Sequence, residues 1–236
     1  MREVLMFSPV PDDDPLNGLR PHVEGDLLGH EPTEGFADRC WVLHPIRVGG
    51  QKVRWNDFLR PYGKQLGDWM FTPSFRVFGR LPRPLTEGYE EPTIGEIDRD
   101  TLARLLTVTA RHSAQGAETE CFWVPASVHT PGYPVKADRG PLSSALAHFD
   151  GLRDSWRVFP AHWWPVESTW PVEGSWFVVT DEDLSATEVF GPRELIADLL
   201  ADDELDAVRH PSIADVWHTG SPTWRDEQPV DILPLL

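Results

Sequence analysis

Proline limits what this chain can build. Its 236 residues include 23 prolines, and each one fixes φ and lacks a backbone donor, so neither a helix interior nor a central strand runs easily through it. Pro82, Pro84 and Pro92 make the stretch 81–95 the clearest internal connector. If the chain has two lobes, they part there; otherwise residues 35–236 form a single domain. Upstream, P-D-D-D-P at 11–15 and the turn pair Asn17-Gly18 mark residues 1–34 as an irregular Pro/Asp-rich arm. Asp12, Asp13 and Asp14 lack the Gly and distal Glu of an EF-hand loop, and no metal is expected on them.

Between these breaks the apolar residues recur with recognisable periods. Asp98 is a helix N-cap candidate, with Leu102, Leu105, Leu106 and Thr109 at helical spacing behind it and Arg111 and His112 suited to the C-terminal dipole, which predicts a helix over 98–112. Leu142, Ala145, Leu146 and Phe149 predict a second over 141–150, ending at Gly151. Leu195, Ile196, Leu199 and Leu200 predict a third over 192–201, with Pro192 in its first position. Trp55–Tyr62 reads as one or two helical turns. Cys40–Leu43, Cys121–Val124 and Ser175–Thr180 read as strands. Elements in mixed order, without regular β-α-β alternation, predict an α+β fold: a mainly antiparallel sheet packed with a few helices.

Hydrophobic residues at 40% supply enough apolar surface for a packed core. No run of about 18 apolar residues is present to cross a bilayer, and the first ten residues do not read as a secretory signal, so a cytoplasmic protein without a membrane partner is expected. Cys40 and Cys121, with no C-x-x-C spacing, suggest neither a disulfide framework nor a thiolate zinc site. Asp and Glu exceed Lys and Arg by 38 to 21, a formal charge of −17. Such a field repels phosphate backbones, which argues against nucleic acid; it would steer a basic protein partner toward the chain or serve solubility alone.

Several segments carry a resemblance: F-A-D-R-C-W-V-L-H-P, V-R-W-N-D-F, L-L-T-V-T-A-R-H-S, C-F-W-V, and above all W-P-V-E-G-S-W-F-V-V-T-D-E-D-L running on into T-E-V-F-G-P-R-E-L-I-A-D-L-L. In these the chain resembles a family of uncharacterised actinobacterial proteins over about residues 35–210. The resemblance implies one continuous unit and brings no catalytic residues with it. Two features depart from the family pattern: Phe190-Gly191-Pro192 stands where a Gly-rich turn is usual, and the Trp-Pro element is duplicated.

That duplication, W-P-V-E-S-T-W-P-V-E-G-S-W, places Trp164, Trp170 and Trp176 six residues apart. Six is a multiple of the strand period and of the polyproline II period, so in either conformation the three indoles project from one side. Pro165 and Pro171 argue against a regular central strand for Trp164 and Trp170. Trp164 and Trp170, with His162 and Trp163 beside them, are the candidate binding residues; core packing is the competing reading. Cys40 and Cys121 lie in apolar runs that favour inert thiols. Asp181, Glu182 and Asp183 follow a predicted strand and could make a carboxylate–imidazole site with His44 or His148, or simply a solvated turn. His210 and His218 lack the i, i+4 spacing of a helical ligand pair. No G-x-S-x-G, P-loop, G-x-G-x-x-G or H-E-x-x-H occurs. The residues therefore point to a non-enzymatic acidic interaction domain of the immunity or antidote kind, with no cofactor. The alternative is an enzyme or small-molecule binder with a Trp-lined pocket.

Overall fold

The computed structural model describes residues 36–62, 88–90, 92, 93, 95, 97–125, 138–156, 167–180 and 185–209. Their strands are β1 (Asp38–Leu43), β2 (Ile46–Val48), β3 (Gln51–Val53), β4 (Glu120–Pro125), β5 (Asp138–Pro141), β6 (Glu167–Pro171), β7 (Phe177–Thr180), β8 (Ala186–Gly191) and β9 (Ala207–Val208). Helices are α1 (Trp55–Leu59), α2 (Arg99–Arg111), α3 (Ala145–Trp156) and α4 (Arg193–Ala201). Seven strands make one antiparallel sheet in the order β5-β4-β6-β7-β8-β1-β9, and β2 and β3 form a separate hairpin. The fold is α+β. Strand β1, which precedes the 81–95 connector, lies between β8 and β9, which both follow it.

Register sorts the side chains onto two faces. Cys40 pairs with Val189, Val178 with Val189, and Trp123 with Thr169. With Val42, Cys121 and Trp176, the apolar members of this set pack beneath Leu102, Leu105 and Leu106 of α2, Ala145 of α3 and Leu195, Ile196 and Leu199 of α4. Helices bury this face because each carries its apolar residues on one stripe, at i, i+3, i+4 spacing. The opposite face gathers Trp170, Phe177, Val179 and Phe190, against which Phe36 and Phe122 pack. Arg39 and Glu188 sit on this second face as an ion pair 3.1 Å long.

Helix α2 starts where its sequence predicts, since the Asp98 carboxylate accepts from the N–H groups of Asp100 and Thr101. Two boundaries differ. Pro192 is the cap residue of α4 and not its first helical residue. Helix α3 continues through Gly151 to Trp156: a single exposed Gly costs a helix only about 1 kcal/mol.

Six strands, β2, β3, β5, β6, β8 and β9, had little signature. β2 and β3 are three residues each, joined by Gly49 and Gly50 at φ +56° and +80°, the type I′ geometry that only glycine adopts readily at both positions. β5 contains Gly140 and ends on Pro141. β8 is buried along its whole length and lacks polar alternation. Its last residue, Gly191, is tightly packed: a Cβ there would lie 2.8 Å from Leu195 Cδ2 and 3.3 Å from Trp176 Cβ, so a larger residue would displace the Leu195 side chain.

Candidate functional site

The densest group of buried polar side chains lies where β1 ends. His44 follows the last residue of β1; its N–H donates to the Ser185 carbonyl, and its own carbonyl accepts from the Trp55 indole at 2.9 Å. Its ring is 0% exposed. Nδ1 lies 2.6 Å from the Thr93 carbonyl, Nε2 lies 3.1 Å from Thr187 Oγ1, and Thr187 Oγ1 lies 2.7 Å from Thr180 Oγ1. A carbonyl oxygen can only accept, so Nδ1 carries the proton. Burial pushes the ring down to a pKa of about 4, with the Thr93 carbonyl opposing, so the ring is neutral at pH 7 and Nε2 accepts. Thr187 therefore donates to His44, and Thr180 must donate to Thr187. The chain of donors runs in one direction: Thr180, Thr187, His44, Thr93.

Asp206 closes the other side of this group. Its carboxylate accepts from Arg54 Nε at 2.9 Å and from the Trp55 N–H at 3.1 Å, and its carbonyl accepts from the Leu43 N–H. Arg54 also donates to the carbonyls of Leu205 and Asp203. Arg54 provides no side-chain cap for α1, so Asp206, remote in sequence, takes that role. Burial raises the Asp206 carboxyl above the ordinary range even though the Trp55 N–H and Arg54 pull it down. The group as a whole fastens α1, the backbone at Thr93 and the β7–β8 pair to the end of β1. Each of its polar atoms already has a partner, so it acts as a clamp.

The far end of the sheet differs. Trp123 and Thr169 are cross-strand partners on the helix-covered face, and both Trp123 Nε1 and Thr169 Oγ1 are buried without a hydrogen-bond partner. The Trp123 ring leans over Gly140, where an added Cβ would meet it at 3.0 Å, and stacks on His148 of α3 at 4.9 Å between centroids.

The Trp stripe does not survive folding. β6 is a central strand, between β4 and β7, and Trp170 lies in it with 8% exposure, against Phe122 and Phe177. Pro171 is tolerated because it ends the strand, where its carbonyl accepts the Gly174 N–H of the following turn. The β6–β7 pairs are Ser168 with Val179 and Thr169 with Val178. Residues of opposite parity thus face each other, and Trp170 and Trp176 fall on opposite faces. Trp176 is buried under α2, its Nε1–H donating to Ser113 Oγ at 2.8 Å. The equal spacing predicted a common side only for an uninterrupted strand, and here a hairpin turn intervenes.

Both thiols are buried; burial raises Cys40 far above its usual range and pushes Cys121 up to about 12. His112 caps α2 and lies 2.9 Å from Asp198 of α4. Asp12–Asp14, His162, Trp163, Trp164, Asp181–Asp183, His210 and His218 lie outside the described residues. Among the described residues no group of three or more His, Cys, Asp or Glu is placed to hold a metal, and no helix is long and apolar enough to cross a membrane. Sequence reasoning missed Thr93, Thr180, Thr187, Arg54 and Asp206, and no motif marks them. Compared with family models, curated proteins and solved structures, the chain matches none.

Proposed function

We propose that this chain is an acidic protein-interaction domain, of the immunity or antidote kind, that docks on a basic protein. The observation that carries the reading is the excess of acid, 38 residues against 21. Engagement of cations within the fold supports it. Arg39 pairs with Glu188, Lys52 with Asp98 and Asp100, and Arg54 with Asp206; Arg104 pairs with Asp202 and Glu204, and Arg209 with Asp38. The net negative field steers a cationic surface toward the chain. His44 supports the reading from another side, since both its ring nitrogens are occupied by internal partners.

The test is capture of the tagged chain from its own cell extract at moderate salt, followed by intact mass measurement. A single basic protein in stoichiometric amount, released by high salt, is the expected result; a chain that elutes alone overturns the reading. Trp164→Ala is expected to weaken capture. Trp170→Ala cannot serve as an interface variant, because Trp170 is part of the sheet's aromatic face.

A small-molecule binder is the second reading, favoured by the unpaired Trp123 Nε1–H and Thr169 hydroxyl. A ligand at 100 times its dissociation constant would add about 2.7 kcal/mol to stability, and a thermal-shift screen of metabolites reads that directly.

A further inference from the structure

We propose that His44, Thr187 and Thr180 form an acid-released latch that holds the backbone at Thr93 against the end of the sheet. The geometry supplies both halves of a latch. The Nδ1–H of His44 grips the Thr93 carbonyl at 2.6 Å, and the hydroxyl chain on the other side of the ring fixes which nitrogen carries the proton.

Protonation of the ring leaves these hydrogen bonds intact. The new Nε2–H donates to Thr187 Oγ1, Thr187 turns its hydroxyl to Thr180, and the chain reverses. What the proton brings is a charge that meets no counter-ion among the described residues. On β1, Asp38 is held by Arg209 and Arg39 by Glu188, and Glu188 points to the other face of β8 from Thr187. From α1 and its approach, Asp57 is paired with Arg60, and Arg54 with Asp206. Glu90 accepts from the Gly50 N–H, and Lys52 holds Asp98 and Asp100. Burial lowers the ring's affinity for a proton, and the Thr93 carbonyl opposes it.

The sign follows from linkage. The closed latch holds a ring that protonates near pH 4, and the open one a solvated ring that protonates near its ordinary value of 6.5. The open state therefore takes up the proton first as pH falls. The latch is fully closed above about pH 6.5, loosens on the way down to about 4, and changes little below that. Between pH 7 and pH 4 the opening equilibrium should rise on the order of 100-fold.

Hydrogen exchange followed by mass spectrometry tests this on the full chain, with rates corrected for the intrinsic effect of pH. The peptide covering residues 88–98 is expected to lose on the order of 100-fold in protection between pH 7 and pH 4, while the peptide covering 99–111 keeps its own. An equal loss in both peptides, or none in the first, overturns the latch. In His44→Asn the amide still donates to Thr93 but does not titrate, and the loss at 88–98 should disappear; its persistence also overturns the proposal. Should that variant not fold, nitrogen NMR of the His44 ring in the unaltered chain decides. Titration near pH 4, where the exchange loss levels off, supports the latch, and titration near 6.5 overturns it.

Discussion

The two ends of the sheet treat buried polar atoms differently. At the end of β1, a histidine, two threonines, an aspartate and an arginine are buried or partly buried, and their hydrogen bonds close on one another. At the β4–β6 end, two indole N–H groups, of Trp123 and Trp170, and the Thr169 hydroxyl are buried on adjacent strands without partners. A completed network costs little to bury and gives direction, because every donor must find its acceptor. An incomplete one leaves only the desolvation penalty. The first end is therefore where this fold is specified, and the second is where it has polar capacity to offer.

Substitutions test that contrast, beginning with the strongest. Asp206→Ala removes the acceptor of both Arg54 and the Trp55 N–H and should cost about 3 kcal/mol, at the low end for a broken buried pair because Arg54 is partly solvated. Urea unfolding with an unchanged m-value is the measurement, and a cost under about 1 kcal/mol would mean that Asp206 does not act as a clamp. Thr187→Val keeps the shape but strands His44 Nε2 and the Thr180 hydroxyl, with an expected cost of about 2 kcal/mol. Thr169→Val should be within about 0.5 kcal/mol of neutral, or stabilising, since that hydroxyl bonds to nothing. If Thr169→Val proves as costly as Thr187→Val, the two ends are alike and the contrast fails.

The elements legible in the sequence were those whose signals are local. The cap at Asp98 and the leucine spacing of α2 and α4 depend on residues within a few positions of one another, and both helices stand within a residue of where they were predicted. The strands β2, β3, β5, β6, β8 and β9 were not legible. Three are too short to show a period, two end on Pro, and one is buried on both faces and so lacks alternation. The candidate site divides in the same way. Burial of Cys40 and Cys121 in apolar runs was expected and is what the structure has. The Trp170–Trp176 relation was misread because spacing along a chain fixes a common face only while the strand continues.

By itself, the sequence determined the acidic field, the α+β class, the limits of the capped helices and the apolar setting of the thiols, all properties that sum over residues or act across a single turn. The tertiary structure alone decided that Asp206 would cap a helix beginning at Trp55, that Thr187 and Thr93 would meet on His44, and that two equally spaced tryptophans would lie on opposite faces. These relations depend on strand register and hairpin parity. Both are set by long-range pairing, which no local pattern of residues encodes.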